Sequence, residues 1–251
     1  MLSRILTPLL PFAALLAVWE GYCALSGVSP LILPPPSGIA RALVLNRAEI
    51  AGHALATLSV AALGFSLSMG FAFATSVALH FSPRAAGGLM PLFVASQTVP
   101  LVALAPLMIL WFGFGLLPKV LLVVLVTFLP VLMSLLSGYR QTPGAFIDLL
   151  TSMGAGRWTV FARATLPSAR ASFLAGLRLS ATYAIVATIF AEYAGARAGL
   201  GIYILAAKNN FRADLVLAAV VVSAGLTLAL LGLLRLADRL TTRGPEGRSD
   251  A

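Results

Sequence analysis

Six long apolar runs dominate this sequence of 251 residues and constrain its fold more than any other feature. A membrane-spanning helix needs about 20 apolar residues, and each run reaches that length. Only 10% of the residues are charged, against about 25% in soluble domains, so the solvent of this chain is largely lipid. The sequence predicts an all-α integral membrane protein with about six transmembrane helices, at 5–26, 54–79, 85–118, 120–139, 171–194 and 215–234.

The third run, 85–118, is too long for one straight span and carries polar residues inside it. Ser96, Gln97 and Thr98 precede Pro100, whose ring frees a backbone carbonyl that another group must satisfy. Polar, proline-broken helix at membrane depth is tolerated where it faces protein or a water-filled cavity. We therefore predict that these three side chains line a translocation path, with hydrogen bonding between helices as the alternative.

The fifth run supplies further candidates, because polar groups inside a span are functional candidates by default. Tyr183 and Glu192 are predicted to line the same path. Glu192 lies near the end of the run, so a solvated loop carboxylate is an equal alternative for it. Arg178 is expected to extend its long side chain to the headgroups.

Lysines and arginines fall unevenly on the two sides of the predicted topology. With the N-terminus inside, 11 of the 17 basic residues are cytoplasmic and 6 are outside, as the positive-inside rule favours. Both termini are therefore predicted to be cytoplasmic. The net charge of +9 needs no nucleic acid, because most of it can face anionic membrane lipids.

The chain is predicted to divide into four parts. Residues 1–30 form the first transmembrane helix, for which a cleaved signal peptide is a less favoured alternative. An extracytoplasmic connector follows at 31–52, where Ser37 is expected to cap a short helix at 38–45. Residues 53–240 form a five-helix core, and 241–251 form a cytoplasmic tail.

The loop at 139–169 is the longest polar segment between apolar runs. Its apolar residues recur at helical spacing on both sides of Gly154, which can adopt a positive φ without steric cost. The pattern predicts two short amphipathic helices that meet at a glycine bend. Such a loop could dock a cytoplasmic protein or lie on the lipid surface, and arginines around an apolar patch favour docking. Trp158 and Phe161 are the predicted aromatic anchors on such a partner.

The loop resembles the EAA loop of the permeases of ABC importers, the binding-protein-dependent transport inner-membrane family. Asp148, Leu149 and Leu150 stand at the acidic and small positions, and Gly154 follows at the family's spacing. Aspartate replaces glutamate here, and two leucines replace two alanines. The segments LPPPSGIARAL (33–43), VPLVALAPLMILWFGFG (99–115) and AEYAGARAGLGIYI (191–204) extend the resemblance to the sulfonate, nitrate, taurine and pyrimidine branch.

The resemblance implies an importer permease fold in a bacterial-type inner (plasma) membrane. It implies cytoplasmic ABC ATPase subunits that bind ATP and Mg²⁺, an extracytoplasmic solute-binding protein, a second permease copy in a homodimer, and contact with membrane lipids. The solute would be a thiamine-precursor pyrimidine or riboflavin, otherwise a sulfonate, taurine or nitrate. The implied ATPase-coupling residues are Asp148, Gly154, Arg157, Trp158, Phe161, Leu166 and Pro167.

Catalytic and metal-binding patterns are missing from the sequence. A P-loop needs Gly-Lys followed by Ser or Thr, and neither Lys119 nor Lys208 stands in that context. His53 and His80 lie far apart, so no metal site and no cofactor of the chain itself are predicted. We expect no enzymatic activity in this chain. A self-sufficient secondary transporter or channel remains the alternative function, and a non-transporting scaffold is a third.

Overall fold

The computed structural model describes the backbone of residues 2–242 and the side chains of residues 10–240. Within these residues the chain is helical, with no strand, so the all-α prediction is confirmed. The long helices are α1 (Leu2–Ser26), α3 (Arg47–Phe81), α4 (Pro83–Ser96), α5 (Leu101–Phe112), α6 (Leu116–Arg140), α10 (Arg170–Tyr193) and α12 (Ala213–Thr242). The shorter ones are α2 (Pro36–Leu45), α7 (Gly144–Ser152), α8 (Arg157–Val160), α9 (Leu166–Ser168) and α11 (Leu200–Asn209).

The described residues contain four helices that are long and apolar enough to cross a membrane: α3, α6, α10 and α12. The consecutive helices α4 and α5 form a fifth segment, bent by 100° between Ser96 and Leu101. A sixth apolar segment lies in α1, whose part with described side chains, Leu10–Ser26, is apolar. The predicted tail at 241–251 lies outside the described residues except for the last two residues of α12.

Close packing of α6 against its neighbours forms the centre of the molecule, and small residues make this possible. A Cβ atom on Gly64 of α3 would lie 2.6 Å from Cβ of Val123, and one on Gly176 of α10 would lie 2.6 Å from Cβ of Ser134. Small residues let backbones approach closely in membrane proteins, where lipid supplies no hydrophobic drive between helices. Helices α3, α6 and α10 therefore form one tightly packed unit at the centre of the molecule.

Two carboxylate contacts add to or correct expectations from the sequence. Ser37 does not cap α2 from outside; it lies inside the helix, and its backbone N–H and hydroxyl donate to Glu20 of α1 at 3.0 and 2.6 Å. Arg178 of α10 has a partner that the sequence did not indicate, because its guanidinium donates to Asp238 of α12 at 2.6 Å. Both partners come from distant parts of the chain, which spacing along the sequence does not specify.

Candidate functional site

A hydrogen-bonded glycine bend joins the two arms of the segment 143–168, which we call the coupling segment. The first arm, α7, starts after Pro143 and ends in a left-handed residue, Gly154, at φ 79°. The N–H of Ala155 donates to the carbonyl of Leu150, and that of Gly154 donates to Thr151. This pair of bonds is a Schellman motif, which satisfies the last carbonyls of a helix. The predicted glycine bend is confirmed.

The second arm is continuous from Arg157 to Ser168 but changes its winding. A turn of α-helix passes into a π-helical turn at Phe161–Thr165, where the N–H of Leu166 donates to the carbonyl of Phe161. Pro167 follows directly and has no N–H to donate, so the usual ladder could not continue there. The arm then breaks at Ala169, and α10 begins.

An aromatic cluster fixes this second arm to the ends of α3 and α6. Phe161 is only 2% exposed, and its ring centroid lies 4.9 Å from that of His80 and 5.3 Å from those of Phe81 and Tyr139. The hydroxyl groups of Tyr139 and Ser76 are 2.9 Å apart, so they share a hydrogen bond. Phe161 is thus buried within its own chain, which corrects the expectation that it anchors a partner protein.

The outer surface of the coupling segment stays apolar and exposed. Trp158 stacks on Phe81 with one face and is still 63% exposed, and Met153 is 75% exposed. Phe146 and Leu149 are also exposed, as are Asp148 and Pro167, while Leu166 packs partly against the core. The guanidinium of Arg157 lies 5.7 Å from the ring centroid of Phe81. An apolar patch of this kind outside the spans is typical of an interaction site for a protein or for the membrane surface.

The predicted path residues at the break between α4 and α5 have hydrogen-bond partners within the described chain. The hydroxyls of Ser96 and Thr98 donate to carbonyls of the preceding turn, at 2.7 and 2.8 Å. The amide of Gln97 donates to the carbonyl of Leu125 in α6 at 2.8 Å. Gln97 therefore holds the broken segment against α6, while its own surface stays exposed. Its role in a path remains a prediction.

Tyr183 and Glu192 occupy opposite environments on α10. Tyr183 is half exposed, on a face that also carries Leu179, Val186 and Phe190. Glu192 is fully buried, so it is not a solvated loop acid. Its carboxylate accepts hydrogen bonds from the Thr57 hydroxyl at 2.9 Å and from the N–H of Gly201 at 2.8 Å. It thereby caps the N-terminus of α11.

The partners of Glu192 are the residues that sequence reasoning missed. The Thr57 hydroxyl, besides donating to Glu192, accepts from the N–H of Leu200 at 2.8 Å, and His53 accepts from the N–H of Gly199 at 3.0 Å. A Cβ on Gly199 would lie 2.2 Å from the carboxyl carbon of Glu192. The closely spaced glycines at 199 and 201 were the only sequence signal for this approach.

Comparison with known proteins decides the family. Residues 66–243 match the model of a protein family, the binding-protein-dependent transport system inner membrane component. The chain belongs to that family. The match begins within α3 and therefore includes the bent α4–α5 pair, the coupling segment and the Glu192 contacts of α10 and α11.

Curated relatives cover nearly the whole chain. It is 36% identical to the riboflavin transport system permease protein RibX of Chloroflexus aurantiacus, over 91% of this chain and 86% of the relative. It is 34% identical to the formylaminopyrimidine transport permease protein ThiX of Halalkalibacterium halodurans, over 91% and 90%. It is also 34% identical to the taurine transport system permease protein TauC of Escherichia coli, over 91% and 86%.

A solved structure supports the fold independently. An inward-facing MetNI methionine ABC transporter chain aligns at a TM-score of 0.63, covering 75% of this chain and 95% of that one, at 12% identity. This chain is a multi-pass inner-membrane permease subunit of an ABC importer, in the sulfonate, taurine and pyrimidine branch.

Proposed function

We propose that this importer permease couples to a separate ATPase through the coupling segment. The observation that carries the proposal is the exposed apolar patch of Phe146, Leu149, Met153 and Trp158 beside the left-handed bend at Gly154. Aromatic anchors dominate protein interfaces, and the aromatic cluster around Phe161 would transmit movement of the patch to α3 and α6. Asp148 and Arg157 would supply the polar rim. ATP and Mg²⁺ would be bound by the partner.

The transport path and its partners extend this proposal. A second copy of the chain would complete the path, because α10, a central helix, leaves the face of Tyr183 uncovered. The bent α4–α5 pair, with Ser96, Gln97 and Thr98, would change its angle during transport. An extracytoplasmic binding protein would deliver the solute. Both termini would be cytoplasmic, and lipid would cover the remaining apolar surface.

For the solute, we propose a small organic molecule of the classes carried by the relatives. Riboflavin and a thiamine-precursor pyrimidine are supported by the names of two relatives at 36% and 34% identity. Taurine or another sulfonate is supported almost equally, by a relative at 34%. A nitrate-type solute is supported only by the sequence resemblance to this branch of permeases, and none of the relatives reported above is named for nitrate.

The decisive experiment is purification of the tagged chain from its native membrane in mild detergent, with mass spectrometry of the proteins that co-purify. We expect a P-loop ATPase in a one-to-one ratio, reduced several-fold when Trp158 is changed to alanine. The matched control is Trp111→Ala, which removes an exposed tryptophan from α5, away from the coupling segment. A chain that purifies alone and moves solute in vesicles without ATP would overturn the proposal.

A further inference from the structure

A cavity of about 770 Å³ lies at the end of the molecule opposite the coupling segment. It is lined by Ala56 and Val60 of α3, by Phe114 and Lys119 around the start of α6, and by Arg197 in the loop after α10. The helix α6 begins at this cavity and ends beside the coupling segment, so the two sites are separated by its full 25 residues. The volume lies within the range of small-molecule sites.

Two cations line this cavity, and neither has a hydrogen bond or ion pair with the described residues. Lys119 is half-buried and Arg197 is exposed. The buried acid Glu192 interacts electrostatically with Lys119 without a hydrogen bond or ion pair between them. Its carboxylate, however, is already occupied by Thr57 and Gly201. The cavity therefore carries positive charge that the described chain does not pair directly.

The position of Lys119 is unfavourable for the helix that carries it. The first turn of α6 contains no acidic residue, and no side chain caps it. The N-terminus of a helix carries partial positive charge and unpaired N–H groups, so anions are favoured there and cations are not. A lysine at the start of α6 adds to this positive field, which a bound anion would offset.

Two glycines allow the loops that line the cavity to pack closely together. Gly195 stands at φ 148°, and a Cβ there would lie 2.6 Å from Cε1 of Phe114. The loop after α10 thus packs directly on the loop before α6, which brings Arg197 and Lys119 to one cavity. Gly115, at φ 146°, allows the chain to enter α6 at the same place.

We propose that this cavity binds the anionic group of a small molecule, a sulfonate, carboxylate or phosphate, between Lys119, Arg197 and the N-terminus of α6. The inference rests on the solute classes proposed above and narrows the solute to an anion, which favours the sulfonate class. A lipid phosphate has the same chemistry and is the other source of the anion.

The test measures binding of ethanesulfonate to the purified full-length chain in phosphatidylcholine nanodiscs, by saturation-transfer NMR. The double variant Lys119→Gln, Arg197→Gln is expected to weaken binding about tenfold, as loss of charge-assisted hydrogen bonds does. The control Arg41→Gln, Lys208→Gln makes the same charge change at two exposed sites away from the cavity and should bind like the unaltered chain. Ethanesulfonamide, the uncharged analogue, should not distinguish the three proteins.

Phosphatidylglycerol nanodiscs identify the source of the anion. If the phosphate of an anionic lipid occupies the cavity, ethanesulfonate binding falls by a larger factor for the unaltered chain than for the double variant in these discs; if the cavity serves a solute, binding to both proteins changes by the same factor. Equal ethanesulfonate binding by the three proteins, or no binding by any of them in phosphatidylcholine, would overturn the inference. Retention of the ATPase is measured separately, so a failed anion site and a failed proposal of ATPase coupling are distinguishable.

Discussion

At the scale of single residues, Glu192 stands out in the described part of the chain because a carboxyl group is costly to bury without hydrogen-bond partners. It is a fully buried carboxylate whose two oxygens accept from a hydroxyl and a backbone N–H. Removing one partner from a buried polar pair leaves the other unsatisfied, which costs about 1 to 3 kcal/mol. Glu192 is therefore a positioning residue that ties α10 to α3 and α11.

Glu192→Ala is expected to lower the thermal stability of the chain in detergent by several degrees, because the N–H of Gly201 loses its acceptor and a void forms. Fluorescence-detected size-exclusion chromatography after heating measures this. Glu49→Ala is the matched control, since Glu49 is an exposed acid at the start of α3. Equal melting temperatures for the two variants would show that the buried contacts contribute nothing.

Trp158 and Phe161 are three residues apart, and their substitutions are expected to have different effects. Trp158→Ala should reduce ATPase retention and lower the melting temperature of the chain only slightly, because the side chain is largely exposed and loses only its ring contacts with Phe81 and Phe161. Phe161→Ala should lower the melting temperature, because deleting a buried phenylalanine costs about 3 to 5 kcal/mol. Melting curves and subunit ratios of both variants check this. A melting temperature lowered equally by both would contradict it.

At the scale of elements, the bend of the coupling segment depends on the backbone of Gly154. An L-residue in the left-handed region costs about 1 to 2 kcal/mol, so Gly154→Ala should reduce solute uptake several-fold while membrane insertion stays normal. Gly154→Pro should abolish uptake. Gly156→Ala is the control, because Gly156 has φ −71° and no atom near its missing Cβ. Uptake that Gly154→Ala leaves at the level of this control would show that the left-handed bend is not needed.

Elements were largely predictable from the sequence, and their contacts were not. The apolar run predicted at 171–194 corresponds to α10 within one residue at each end, and the predicted glycine bend lies at Gly154. Both were predictable because the length of an apolar run and the tolerance of glycine for positive φ are local properties of the sequence. The pairing of Arg178 with Asp238 joins residues 60 positions apart. The burial of Phe161 likewise depends on how α3 and α6 end, which no local pattern specifies.

At the scale of the whole molecule, the exposed face of α10 requires a cover. Leu179, Tyr183, Val186 and Phe190 lie along one side of this helix and remain exposed, although its other sides are packed. Lipid could cover an apolar face within a span, but this face also carries the hydroxyl group of Tyr183, and polar groups inside a span usually face protein or a water-filled cavity. A second copy of the chain is the proposed cover.

Cysteine cross-linking tests the proposed dimer, and the chain suits it because Cys23 is its single cysteine. In a Cys23→Ser background, Tyr183→Cys should yield a covalent dimer with a short bifunctional maleimide in native membranes. Leu15→Cys, on the exposed surface of α1, should not. Denaturing gel electrophoresis measures the yield of the thioether-linked dimer, and a dimer from Leu15→Cys but not from Tyr183→Cys would place the interface elsewhere.

The hydrogen-bond partners of Glu192 are synthesised at very different times. Thr57 lies 135 positions before the acid, and Gly201 only nine positions after it. At about 5 to 20 residues per second, the second donor leaves the ribosome about half a second to two seconds after the carboxylate. Thr57 of α3 is synthesised long before Glu192. When α10 enters the membrane, the Thr57 hydroxyl is therefore already present as a hydrogen-bond donor, and the Glu192 carboxyl group need not remain unpaired in lipid.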